Sequence, residues 1–68
     1  MKKILLFGAD SFTGKHLLVY LSNKDYNVFG TTLSPSNSLL QCDITDKGNV
    51  KNILEEVMPD YIINLTGI

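Results

Sequence analysis

Apolar positions along this chain fall into two kinds of pattern, and the switches between them predict the elements. Lys3 to Phe7 carries the unbroken run Ile4-Leu5-Leu6-Phe7 and stops at Gly8, as a parallel strand covered on both faces does. Beyond a turn from Gly8 to Gly14, Leu17, Leu18 and Leu21 recur at helical spacing until the polar stop Ser22-Asn23-Lys24-Asp25. Tyr26 to Leu33 is rich in β-branched and aromatic residues and reads as a second strand, ended by the breaker cluster Ser34-Pro35-Ser36-Asn37-Ser38. Leu39 to Cys42 reads as a short third strand. Val50, Ile53, Leu54 and Val57 then fall at i, i+3, i+4 and i+7, one face of a second helix capped by Thr45 or Asp46 and stopped by Pro59. Tyr61 to Leu65 is expected to be a second doubly buried strand.

The resulting order, β-α-β-β-α-β, predicts an α/β fold with a parallel sheet. One link is unusual, because parallel neighbours normally need a crossover of about a dozen residues and only about five separate the second strand from the third. Six extended residues still span about 20 Å, enough to run back along a short strand without a helix. A bare crossover is therefore expected.

Composition narrows the partners. With 68 residues the chain is at most one small domain, and 44% hydrophobic with 19% charged residues is the make-up of a packed protein. A net charge of −1 with both signs interspersed offers no basic stripe, so neither nucleic acid nor a membrane surface is expected as a partner. Met1-Lys2-Lys3 and the following apolar run are too short for a secretory signal, whose apolar core needs ~7–15 residues. No stretch approaches the ~20 apolar residues of a membrane span. A cytoplasmic location is expected, in keeping with the lone thiol of Cys42, which can complete neither a disulfide nor a zinc site.

The candidate chemistry lies in Gly8-Ala9-Asp10-Ser11-Phe12-Thr13-Gly14, set between a buried strand and an amphipathic helix. Gly8 lets the backbone leave the strand sharply, Gly14 lets the helix pack close, and the helix N-terminus then points its free N–H groups at a pyrophosphate. A triphosphate-binding loop is the obvious rival, since Gly14-Lys15 closes the segment. Its spacing is wrong: five residues, not four, separate the glycines, and His16 stands where a magnesium-binding hydroxyl is required.

These residues resemble the extended short-chain dehydrogenase/reductases that act on nucleotide sugars, among them the dTDP-dehydrorhamnose reductases, GDP-ketodeoxymannose reductases and GDP-mannose dehydratases. The resemblance rests on Ile4-Leu5-Leu6-Phe7-Gly8 with Gly8, Ser11 and Gly14 in a Gly-x-x-Gly-x-x-Gly frame. Cys42-Asp43-Ile44-Thr45-Asp46 and Pro59-Asp60-Tyr61-Ile62-Ile63-Asn64-Leu65-Thr66-Gly67 extend it over nearly the whole chain. It implies the N-terminal half of an NAD(P)-binding Rossmann domain, residues 1–68, with the sheet in order 3-2-1-4 and two helices, and with the catalytic and substrate regions absent.

The cofactor residues it implies are Gly8, Asp10, Ser11, Phe12, Thr13, Gly14, Thr32, Asp43, Ile44, Leu65, Thr66 and Gly67. Ser11, Phe12 and Thr13 would meet the pyrophosphate, Thr32 one ribose, Asp43 and Ile44 the adenine, and Leu65 to Gly67 the other ribose. Ser11 stands where the frame has its middle glycine, and its hydroxyl is expected to donate to a phosphate. Asp10 is expected to cap the helix while its backbone N–H faces the pyrophosphate. At the end of the second strand Thr32-Leu33-Ser34 supplies neither the acid that selects NAD nor the arginine that selects NADP. Ser34, Ser36 and Asn37 could hydrogen-bond a 2′-phosphate, which favours NADP over NAD.

No catalytic residue is expected within the chain. Tyr20 and Lys24 match the family's Tyr-x-x-x-Lys, but they sit on the first helix, whereas the family's pair follows the fifth strand. His16 has no carboxylate or nucleophile spaced to partner it, and Cys42 reads as a small core residue whose acid neighbour would raise its pKa. The reading is therefore the cofactor-binding portion of a nucleotide-sugar reductase, epimerase or dehydratase, inactive by itself and expected to associate, as a homo-oligomer, through the edge of its last strand. The rival readings are a non-enzymatic dinucleotide sensor or interaction module and, third, an S-adenosylmethionine-type domain, which would end its second strand in an acid.

Overall fold

The N-terminal apolar run forms the middle of the sheet, and everything else is arranged about it. The structure is a computed structural model that describes residues 1–33 and 39–66. Its elements are β1 (Lys3–Phe7), α1 (Phe12–Ser22), β2 (Asn27–Thr32), β3 (Leu40–Gln41), α2 (Lys47–Val57) and β4 (Tyr61–Asn64). All the pairings are parallel, as the sequence pattern predicts, and the strand order is β3-β2-β1-β4, as the resemblance implies. Leu5 lies between Phe29 and Ile62, and Leu6 between Gly30 and Ile63.

Alternation along β1 divides its side chains between two layers. Leu5 and Phe7 join Cys42, Ile53 and Val57 in the core under α2, backed by Phe29, Leu40, Val50 and Leu54. Ile4 and Leu6 point the other way and are equally buried. Gly30, paired with Leu6, looks onto Ala9 and Leu18, so α1 covers this second face. The two helices cover unequally. α2 buries Ile53 and Val57, whereas the only fully buried residue of α1 is Gly14, with Leu17, Leu18 and Leu21 half-buried and Val19 and Tyr20 exposed.

α2 begins at Asp46, whose carboxylate accepts from the Asn49 amide at 3.1 Å, which decides between the two predicted caps. It ends at Met58, in the left-handed region with φ 51°, whose amide donates to the Leu54 carbonyl; Pro59 follows. Cys42 continues the β2–β3 ladder by donating to the Thr32 carbonyl at 2.8 Å. β2 and β3 pair in parallel, and the bare crossover expected between them falls on residues 34–38, which lie outside the described ones. Both strands are shorter than predicted, because only Thr31 and Thr32 find ladder partners on β3 and Leu33 already stands exposed.

The expectation for the last strand needs correction. Tyr61 and Ile62 are 53% and 54% exposed, and no described element lies against the outer edge of β4. An apolar sequence makes double burial favourable, but burial also requires a neighbour on each side. No helix among the described residues is long and apolar enough to cross a membrane.

Candidate functional site

The turn leaving β1 is built around its two glycines. Gly8 has φ 83°, where a side chain would be strained, and a Cβ there would also come 3.1 Å from the Leu65 carbonyl carbon and 3.3 Å from the Thr66 amide. Its carbonyl accepts from the Ser11 amide at 3.1 Å and from the Ser11 hydroxyl at 2.7 Å. Ala9 is buried and donates to the Thr31 carbonyl at 3.0 Å, which pins the turn to β2. Gly14 lies so close beneath the turn that a Cβ would fall on the Gly8 carbonyl oxygen and 2.9 Å from the Ala9 Cα.

Two sequence expectations are corrected here. The cap of α1 is Ser11, not Asp10: Ser11 is extended, with φ −72° and ψ 162°, and its hydroxyl oxygen accepts from the Gly14 amide at 3.0 Å. Nor is the Ser11 hydroxyl proton held out for a phosphate, because it is already given to the Gly8 carbonyl. A serine in the middle-glycine position thus ties the turn together from inside. The Ser11 and Gly14 amides are engaged within the turn, and Lys15 donates to the Ser11 carbonyl. The amides of Phe12 and Thr13 occupy the first helical turn, where a helix has no internal acceptor.

Asp10 is turned elsewhere. Its Oδ2 accepts from the Thr32 hydroxyl at 2.9 Å, joining the glycine turn to the end of β2 across 22 residues of sequence. Thr32 itself is buried.

Around this link lies a cleft of about 200 Å³ at the carboxyl ends of the strands. This is where parallel sheets of this order bind ligands, at the point where successive connections leave in opposite directions. Of the residues proposed from sequence, Gly8, Asp10, Thr32, Asp43, Ile44 and Thr66 line it. Ser11, Phe12, Thr13 and Gly14 form the helix end beside it, with Phe12 80% exposed, and Leu65 bonds back to Phe7. Gly67 lies outside the described residues, as do Ser34, Ser36 and Asn37. Phe7, Thr31, Leu33, Cys42 and Thr45 also line the cleft and were not foreseen. They flank foreseen positions at strand ends, so the only signal for them was the strand boundary itself.

The floor of the cleft repeats one device. After β3 the Asp43 carboxylate accepts from the Thr45 hydroxyl at 2.6 Å and the Thr45 amide at 3.0 Å. After β4 the Asn64 carbonyl oxygen accepts from the Thr66 hydroxyl at 2.6 Å and the Thr66 amide at 3.0 Å. Both strands therefore end in the same side-chain-closed turn. The Thr45 hydroxyl, then its amide, hold the Asp43 carboxyl below its ordinary pKa. The Asp43 amide is fixed in turn by Asn49 at 2.8 Å. Cys42 is buried beside it, and desolvation first, then Asp43 and Asp46, raise its thiol pKa, so it is a poor nucleophile.

The remaining sequence candidates lie away from the cleft. The Lys24 ammonium sits 5.3 Å above the exposed Tyr20 ring on the outside of α1, a cation–π pair. His16 packs edge-to-face on Phe12, with ring centroids 4.6 Å apart, and is exposed.

Residues 4–68 match the NAD dependent epimerase/dehydratase family, and the chain belongs to it. The chain is 34% identical over 67 residues to a GDP-6-deoxy-D-talose 4-dehydrogenase of Aggregatibacter actinomycetemcomitans, covering 97% of this chain and 21% of that protein. It is 35% identical over 66 residues to a GDP-L-colitose synthase of Yersinia pseudotuberculosis, covering 97% of this chain and 20% of that one. The chain thus spans about a fifth of the length of these relatives. A family of this kind uses an NAD-type dinucleotide. The residues present suit one: amides at a helix N-terminus for its pyrophosphate, beside a cleft that Gly8 lines and where its missing Cβ lets the backbone of Leu65 and Thr66 come close.

Proposed function

We propose that this chain is the first half of the dinucleotide-binding domain of a nucleotide-sugar oxidoreductase, epimerase or dehydratase. The observation that carries the reading is the cleft at the carboxyl ends of a 3-2-1-4 parallel sheet, opening beside the N-terminus of α1. The amides of Phe12 and Thr13 would hold the pyrophosphate, with Ser11 shaping the turn beneath them. The end of β2 at Thr32 would meet one ribose, Asp43 and Ile44 the adenine, and Leu65, Thr66 and Gly67 the ribose next to the nicotinamide. When bound, the nicotinamide accepts or returns a hydride. The protein's own part here is to fix the dinucleotide's orientation.

Support for a nucleotide-sugar substrate comes from the two relatives, both of which are named for GDP-linked sugars. Proton transfer to the sugar would come from a Tyr-x-x-x-Lys pair outside this chain, since Tyr20 and Lys24 stack on each other at the outer face of α1. Calorimetric titration of the protein with NADH, and of a Gly14→Val variant, tests the reading. Binding is expected in the first case and strong loss in the second. Absence of dinucleotide binding in the folded wild type would refute it.

A further inference from the structure

Dinucleotide-binding domains usually choose between NAD and NADP through a residue at the end of their second strand, an acid accepting from the ribose 2′-hydroxyl in the NAD case. The sequence at that place, Thr32-Leu33-Ser34, has no acid. The structure nevertheless brings one there. Asp10, from the glycine turn, bonds the Thr32 hydroxyl at 2.9 Å and lines the cleft together with Thr32 and Leu33. We propose that Asp10 is the specificity-determining residue of this site and that it selects NAD(H) against NADP(H). The inference rests on the dinucleotide reading and adds to it which residue reads the ribose.

Three observations support it. Thr32 is buried, and its hydroxyl proton is given to Asp10, so the group presented to a ribose at this corner is a carboxylate oxygen and not a threonine hydroxyl. That carboxylate accepts two hydrogen bonds at each oxygen, so one Oδ2 contact with Thr32 leaves capacity for a sugar hydroxyl. Among the described residues that line the cleft the charge has one sign: Asp10 and Asp43 are there, and no lysine or arginine is. Between Lys24 and Lys47 the sequence contains no cation at all, which covers both β2 and the segment that follows it. A 2′-phosphate, carrying about −1.5 to −2 charges, would meet a carboxylate and no cation among these lining residues. This outweighs the serine and asparagine hydrogen bonds that the sequence suggested for NADP, because neutral donors compensate a buried dianion far less than a guanidinium does.

Asp10→Asn separates the charge from the structure, since an asparagine carbonyl can still accept from Thr32. Affinities of the wild type and this variant for NADH, NADPH, 5′-AMP and adenosine 2′,5′-bisphosphate are measured by titration calorimetry at low and high salt. The wild type is expected to prefer NADH over NADPH, and AMP over the bisphosphate, by at least about tenfold, as expected for like charges a few ångströms apart. Asp10→Asn should bring the ratio near unity, and salt should narrow the wild-type ratio but not that of the variant. Equal wild-type affinities, or a ratio unchanged in Asp10→Asn with its melting temperature preserved, would overturn the proposal while leaving the dinucleotide site standing. Failure of all four ligands to bind a folded wild type would remove the site itself.

Discussion

β1 and β4 lie side by side with nearly the same apolar composition, yet their surroundings differ completely. Ile4, Leu5, Leu6 and Phe7 are all at most 4% exposed, while Tyr61 and Ile62 across the ladder are more than half exposed. β1 has a strand on each side and a helix over each face. β4 has β1 on one side, the flank of α2 over one face, and no described element beyond its outer edge. An apolar run therefore states what a strand is able to bury, and its position in the sheet decides how much it does bury. The glycine turn belongs to the buried side of this contrast. It leaves β1, is pinned to β2, and comes close to Leu65 and Thr66 just beyond β4.

Substitutions should reproduce the contrast. Leu5→Ala opens a cavity between α2 and the sheet and is expected to cost about 2–5 kcal/mol, read as a lower denaturation midpoint. A cost below about 1 kcal/mol would show that β1 is not the centre of the core. Gly14→Val forces a side chain into the Gly8 carbonyl and should cost about 1–3 kcal/mol while also weakening dinucleotide binding. Unchanged melting and affinity would take the turn out of the site. Met58→Gly relieves the left-handed conformation at the end of α2 and should raise stability by up to about 1 kcal/mol, visible as an increase in Tm. On β4, Ile62→Ala should stay within about 0.5 kcal/mol of wild type despite being a larger truncation than many core changes. A loss comparable to that of Leu5→Ala would mean the strand is covered in solution, for instance by a second copy pairing along its edge.

The smallest effect is a titration. The Asp43 pKa is lowered from 3.8, so the stability its bonds to Thr45 contribute is present above that value and is lost as pH falls through the lower folded one. An NMR titration should place the midpoint for the Asp43 carboxyl below 3.8, with the Thr45 amide shifting in step.

Much of the architecture was legible because each element carried its own periodicity. The run Ile4 to Phe7 and the i, i+3, i+4, i+7 face from Val50 to Val57 led to the order of the elements, while the strand order 3-2-1-4 came with the family resemblance. Local chemistry was less legible where two residues could do one job. Asp10 and Ser11 are both good caps, and only the backbone geometry of the turn gives the position to Ser11. The Asp10–Thr32 bond was invisible for a different reason. It links residues 22 apart that meet only because β1 and β2 are adjacent and parallel, so a search for an acid at the end of β2 along the sequence passes over it. The exposure of β4 likewise depends on neighbours that its own residues do not encode.

The central claim is that the cleft beside the glycine turn is the dinucleotide site, and amide chemical shifts on addition of NADH test it most directly. The account predicts saturable shifts at Gly8, Phe12, Thr13, Asp43 and Ile44, with Tyr20, Lys24 and Met58 unmoved. Shifts confined to the outer face of α1 or to the groove between α2 and β4, with the turn silent, would contradict it.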